Sequence, residues 1–556
     1  MTLRFNRLLI LLFFLFPGPV MAVATPPHPA GIASAHPMAT QAGHEILARG
    51  GNAFDAAVAV AATLAVVEPY SSGLGGGGFF LLHRARDGFE TLIDARERAP
   101  LAATPNMYLD RDGQPVSGLS IDGARAAAIP GIPAGLVHLA KKYGRLPLAQ
   151  SLAPAIRLAR DGFPVTLSYG RMTLMQRERL ANFPESARAF YRNGFVYGVG
   201  ETLRQPDLAR TLERLATQGQ PGFYSGDTAR RLVNGVRAAG GIWTTQDLAA
   251  YRVVERAPVR GVYRNVRITS APLPSSGGVV LVEMLNILQG FDLDLMDKIR
   301  RDQTLIEAMR LAYRDRARYL GDPDFVTADV ARLIDPAYAA KLRDEMRATK
   351  DIPRGAPAKA AEGANTTHFS VMDREGNRVA ATLSLNTPFG SGFMPNGTGV
   401  VLNNEMDDFV AKAGVPNAYG LVGADANAIA AGKRPLSSMT PTFLESDDAV
   451  VMLGTPGGSR IITMVLLATL EFAHGRGGSA DWIGLPRFHH QYLPDVVVYE
   501  PGAFDESERR ALMQLGYRLE VVSEGYGNMQ AVTWHKKTGH VEAVSDPRGA
   551  GSGAVK

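Results

Sequence analysis

Thr366 stands where a hydroxyl could become its own acid–base pair. It lies in Asn365-Thr366-Thr367-His368-Phe369-Ser370-Val371, at the head of an alternating apolar run. Cutting the bond before Thr366 would leave a nucleophilic hydroxyl and a free α-amine on one residue, and the amine could take the hydroxyl proton. Taken alone, the motif describes a strand residue at a loop exit equally well. Residues 368–373 read as a strand, Arg374-Glu375-Gly376-Asn377 as a turn, and 378–386 as a second β-rich run. The two runs form a hairpin. Pairing Asp373 with Arg378 sets Thr366 opposite Leu385, with Ser384 and Asn386 flanking that position on one face. A shift of one residue brings either of them directly opposite, at about 5 Å between Cβ atoms.

Four more groups could serve such a nucleophile. Arg96 ends a strand-like run, Ile93-Asp94-Ala95-Arg96-Glu97, where a guanidinium can grip a carboxylate with two parallel bonds. It equally reads as a surface ion-pair partner of Asp94 or Glu97. Glu405 and Asp408 belong to an acidic cluster, Asn403-Asn404-Glu405-Met406-Asp407-Asp408, able to hold an ammonium or to form a solvated turn. Ser437 and Ser438 follow Pro435 and present two hydroxyls on a fixed turn. Gly457 and Gly458 precede an apolar helix, where successive backbone N–H groups can stabilise negative charge or merely form a turn.

Other signals are set aside. The run Gly73-Leu74-Gly75-Gly76-Gly77-Gly78 matches a dinucleotide fingerprint but is followed by a strand, Phe79-Phe80-Leu81-Leu82, not a helix. Ser275 and Ser276 lack the Gly-x-Ser-x-Gly elbow and read as a turn, as does the segment around Asp322. His489 and His490 are adjacent, without metal-ligand spacing, and no metal site or cofactor is expected.

The elements that must position these groups are mixed. Asn52 caps a helix over 53–67 that is apolar on nearly every side and therefore buried. Helical patterns dominate 135–250 and 278–320, while 349–364, rich in Ala, Lys, Pro and Gly, reads as a mobile linker leading to Thr366. The 556 residues can bury a large core, and a formal charge of +5 without a basic aromatic stripe argues against nucleic-acid binding. Arg4, Arg7 and the apolar run 8–16 form a secretion signal over residues 1–24, cleaved after Ala22 or Ala24 and too short to span a bilayer. With no Cys, lipid anchoring through Cys and disulfides are excluded, which fits a bacterial periplasm or secretion.

In these motifs, taken in order from about residue 33 to 548, the chain resembles the γ-glutamyltransferases. The resemblance implies an α+β, N-terminal nucleophile hydrolase fold, a four-layer αββα sandwich. It implies a large subunit of residues 25–365 and a small subunit of 366–556, paired after self-cleavage between Asn365 and Thr366. Thr366 would be the nucleophile, oriented by Ser384 (where many relatives carry Thr) and Asn386. Gly457 and Gly458 would form the oxyanion hole. Arg96, Ser437 and Ser438 would hold the donor α-carboxylate, Glu405 and Asp408 its α-amine, and Tyr419 would sit on a lid. The substrates implied are glutathione and related γ-glutamyl donors, with water, amino acids or peptides as acceptors. Two other readings are a glutaryl or cephalosporin-type amide acylase of the same fold, which would leave Glu405 and Asp408 unpaired, and a non-enzymatic binding protein.

Overall fold

Apolar side chains on the central strands point to both faces, so each sheet must be covered twice. The computed structural model, which describes residues 24–348 and 365–556, shows how. The secretion signal, apart from Ala24, and the linker at 349–364 fall outside the described residues. Along the Gly77–Arg84 strand, Phe80 and Leu82 pack under helices, whereas Phe79 and Leu81 face a second sheet. Along Ala449–Gly454, Val450 and Met452 face back toward the first sheet, and Val451 and Leu453 meet the helices beyond. The three largest apolar cores among the described residues lie one between the sheets and one under each helical layer. This is the four-layer αββα sandwich.

Both sheets are antiparallel. The first has seven strands, in the order Ser552–Val555, Gly31–Ser34, Thr367–Met372, Arg378–Ser384, Gly77–Arg84, Phe89–Ala95 and Val254–Arg256. The second has six, in the order Val541–Ser545, Gln530–His535, Ala449–Gly454, Thr442–Glu445, Val266–Ser270 and Val259–Tyr263. Strands from before and after Thr366 share both sheets. Cleavage there would separate the chain covalently without separating two cores.

The first helical layer is built around Ala53–Val67, in which every residue is buried. Asn52 caps it, accepting from the amides of Phe54 and Asp55, while Asp55 accepts from the Asn52 amide at 3.0 Å. Gly277–Leu288, Lys298–Tyr319 and Ile461–Ala473 contribute to the layer against the second sheet.

The hairpin register differs from expectation by one residue. Met372, not Asp373, pairs with Arg378, so the register extrapolates to Ser384 opposite Thr366. Asp373 is drawn out of the ladder by its own side chain, whose Oδ1 accepts from the Glu375 and Asn377 amides at 2.9 and 3.0 Å. The turn therefore contains one more residue than its Gly suggests.

Register then gathers the chemistry at one edge. Thr366 precedes the Thr367–Met372 strand, Ser384 ends its neighbour opposite Gly77, and Ala95 pairs with Gly78, leaving Arg96 just beyond. The glycine run fits because the chain there is crowded: a Cβ on Gly76 would lie 2.0 Å from the Ser384 carbonyl oxygen.

Candidate active site

Thr366 is buried, and its hydroxyl donates to the Asn365 carbonyl oxygen. On the other side, the Ser384 hydroxyl lies 3.1 Å from Thr366 Oγ1. Ser384 Oγ is fixed in turn, accepting from the Asn386 amide at 2.8 Å. The Asn386 side chain does not turn to the threonine. Its Nδ2 donates to the Asn404 carbonyl at 3.0 Å, and its own carbonyl accepts from the Tyr419 hydroxyl at 2.6 Å. Asn386 thus joins three segments of the site and reaches Thr366 through Ser384. Behind the nucleophile, the Thr367 hydroxyl donates to Glu68 Oε2 at 2.8 Å. Burial lifts that carboxyl to about 7, against the pull of its hydroxyl neighbours.

The charged groups form a second pole. Arg96 is fully buried; its Nη2 donates to Asp408 Oδ2 at 2.5 Å, and its Nε donates to the Pro435 carbonyl at 3.1 Å. Glu405 Oε2 lies 2.7 Å from Nη1, a buried ion-pair contact. Glu97 lies behind, 3.6 Å from Nη1, and is likewise buried. Burial pushes Glu97 up to about 8 and Glu405 well above the carboxylate range, with Arg96 pulling both down. The surface ion-pair reading of Arg96 is therefore replaced by a buried cluster of one guanidinium and several acids.

The serine turn completes this pole. Ser437 Oγ accepts from the Met439 amide at 3.1 Å. Ser438 Oγ accepts from Nη2 of Arg316 at 3.1 Å, and Ser276 Oγ accepts from Nε of the same guanidinium at 2.9 Å. Ser276 also donates to the Ser437 carbonyl at 2.7 Å, so the turn at 275–276 braces the turn at 437–438. Sequence reasoning missed Arg316 and treated Ser276 as a plain turn. Arg316 lies in a helix dense in Arg and Asp, a pattern that resembles a solvated face.

Gly457 and Gly458 open the turn into the Ile461–Ala473 helix. Both have positive φ, 143° and 58°, and among the described residues neither amide donates to a protein acceptor. A Cβ on Gly458 would lie 2.4 Å from the Tyr419 ring, so only glycine lets the tyrosine pack over it. The segment carrying Tyr419 is tied down: Asn417 Nδ2 donates to Asp408 Oδ1 at 3.2 Å, the Ala418 amide donates to Asp407 Oδ2 at 2.8 Å, and Gln491 donates to the Tyr419 carbonyl at 3.1 Å.

A small hollow is lined by Arg96, Arg316, Thr366, Ser384, Asn386, Glu405, Asp408, Tyr419, Ser437, Ser438 and Gly458, among others. Gly457 stands one residue outside it. The expected site residues thus converge from segments far apart in the chain. His489 and His490 stay outside, bonded to Thr463, Gln491 and Asp495. A nucleophile beside an acceptor carbonyl, an amide pair and a zwitterion-complementary pole are the parts needed for acyl transfer from an amino-acid side-chain amide.

The family profile described as Gamma-glutamyltranspeptidase matches residues 39–556. The chain is 44% identical to the glutathione hydrolase proenzyme of Pseudomonas sp. (strain A14), with 88% of this chain and 86% of that protein covered. It is 43% identical to the glutathione hydrolase proenzyme of Escherichia coli (strain K12), with 93% and 90% covered. Among solved structures, cephalosporin acylase from Bacillus halodurans superposes with a TM-score of 0.84 at 28% identity, over 98% of this chain and 99% of that one.

Proposed function

Because the chain belongs to the γ-glutamyltranspeptidase family, we propose that it cleaves γ-glutamyl amides such as glutathione through a γ-glutamyl ester on Thr366. The observation that carries this reading is the buried Arg96–Asp408–Glu405 cluster opening onto the same hollow as the Thr366 hydroxyl. An α-amino acid head group is a zwitterion. Its carboxylate matches Arg96 and the serine hydroxyls, and its ammonium matches Asp408 and Glu405.

Maturation comes first. The Thr366 hydroxyl attacks the Asn365 carbonyl carbon, the acyl group shifts from nitrogen to oxygen, and water hydrolyses the ester. Residues 25–365 become the large subunit and 366–556 the small one. In the mature enzyme the Thr366 α-amine takes the Oγ proton as Oγ attacks the γ-carbonyl of the donor. The Gly457 and Gly458 amides stabilise the tetrahedral oxyanion. The leaving amine takes the proton, and water or an acceptor amine then attacks the ester. Ser384 orients Oγ, Asn386 holds Ser384, and Tyr419 screens the ester from bulk water. Residues 1–24 direct export to the periplasm or medium. Among the described residues no helix is long and apolar enough to cross a membrane.

The likeness to a cephalosporin acylase favours one rival, cleavage of a glutaryl-type amide. Such an acyl group brings no ammonium to Asp408 and Glu405, leaving buried acids unanswered. Product analysis with a γ-glutamyl anilide, with and without a dipeptide acceptor, tests the reading. Release of glutamate alone or of γ-glutamyl dipeptide supports it. No anilide cleavage by the matured protein would refute it.

A further inference from the structure

Arg316 is a buried cation to which the reaction outlined above gives no task. It is 5% exposed on the Lys298–Tyr319 helix, and among the described residues it makes no ion pair. Its neighbours are neutral hydroxyls, Ser276 Oγ at 2.9 Å and Ser438 Oγ at 3.1 Å. A buried guanidinium without a carboxylate is costly unless something anionic arrives to meet it. Arg316 lines the same hollow as Thr366, Arg96 and Asp408.

Hydrogen-bond direction says what the arrangement does. A guanidinium can only donate, so Ser438 Oγ must accept from Arg316, and its single O–H is left for another acceptor. Ser437 Oγ likewise accepts from the Met439 amide. Among the described residues neither serine hydroxyl donates to a protein acceptor, so both protons are free for an anion in the hollow.

We propose that Arg316 is a positioning residue that sets selectivity for a donor bearing an α-carboxylate, by fixing Ser438 as a hydrogen-bond donor. This rests on the γ-glutamyl reading. The test compares a γ-glutamyl anilide with a 4-aminobutyryl anilide, which keeps chain and ammonium but lacks the α-carboxylate. Arg316→Met keeps the bulk and removes the charge. In matured protein, the ratio of the two kcat/KM values should fall about ten- to hundredfold, the worth of a hydrogen bond to a charged group, and chiefly through KM for the γ-glutamyl substrate. Arg316→Lys should recover part of the loss. Arg316→Met combined with Ser438→Ala should lose no more than the larger single change, because both act on one contact. Equal losses on both substrates, or additive losses in the double variant, would overturn the proposal. If Arg316→Met does not mature, Arg316→Lys decides: it keeps a charge but loses the planar fork that reaches both Ser276 and Ser438, so the ratio should fall by about threefold to tenfold, as for one lost hydrogen bond, and an unchanged ratio refutes the role. A wild-type enzyme that does not prefer the γ-glutamyl anilide would instead overturn the substrate reading itself.

Discussion

Asp408→Asn separates the γ-glutamyl reading from its acylase rival. The substitution keeps size and removes one charge. In the resting site Asp408 accepts from Arg96 at 2.5 Å and from Asn417 at 3.2 Å. A carboxamide oxygen can still accept from Arg96, and Glu405 remains 2.7 Å from the same guanidinium, so the guanidinium keeps both neighbours. What disappears is the full charge offered to the donor ammonium. A hydrogen bond between charged partners is worth about 1.5–3 kcal/mol. At about 1.4 kcal/mol per decade, kcat/KM for a γ-glutamyl anilide should fall about ten- to a hundredfold. A glutaryl anilide has no ammonium and should lose far less. The assay is the ratio of the two kcat/KM values in wild type and variant, because discrimination lies in differential transition-state binding. Equal losses on both substrates would place Asp408 in support of the fold or of the Thr366 amine, and would restore the acylase reading.

Thr366→Ala should remain a single uncut chain, whereas N-terminal sequencing of the wild-type small fragment should read Thr-Thr-His-Phe-Ser-Val; a cut, active Ala variant would eliminate the N-terminal nucleophile. Arg96→Lys keeps the charge beside Glu405 and Asp408 but loses the planar fork, so KM for the donor should rise about tenfold or more while maturation proceeds; an unchanged KM would remove Arg96 from carboxylate binding. Glu68 predicts a pH effect. Burial raises its carboxyl from 4.5 to about 7, so between these values the native state holds a proton that the unfolded chain has lost. Its stabilising contribution is complete below about pH 4.5 and is lost as pH rises through 7. Glu68→Gln should therefore flatten that part of the Tm–pH curve, and an unchanged slope would show that Glu68 titrates normally.

That Thr366, the acids, the serine turn and Gly458 would come together was legible because each stands in a short run whose chemical character is local. Helix 53–67 was legible because Asn52 and Asp55 form a local capping box. The hairpin register was not, since Asp373 leaves the ladder to bind the Glu375 and Asn377 amides, a competition between side chain and backbone that alternation does not reveal. Arg316 was hidden for another reason. Its helix has the charge pattern of a solvated face, and its role arises from contacts with Ser276 and Ser438, 40 and 122 residues away. Only the packing of two turns onto one helix converts that arginine from surface charge to site charge. Asn386 was placed correctly at the hairpin's end, yet its side chain serves Asn404 rather than Thr366.

The buried cluster also explains how selectivity can arise without a large surface for recognition. Arg96, Glu405 and Asp408 are all buried or nearly so, and they lie against one another. A zwitterionic head group can exchange ion for ion with this cluster, so desolvation on each side is matched by new charge-assisted bonds. A ligand missing its ammonium draws Arg96 toward its carboxylate and leaves the acids alone. A ligand missing its carboxylate draws the acids away and leaves Arg96 and Arg316 alone. Either defect strands a buried charge, and that penalty exceeds what the missing contact itself would have contributed. On the γ-glutamyl reading, discrimination would reside in the unpaired protein groups, as for any site built to bond a polar feature that a competitor lacks. Tyr419 strengthens the effect: with its ring over Gly458 and its hydroxyl on the Asn386 carbonyl, it limits the water that could solvate a stranded charge.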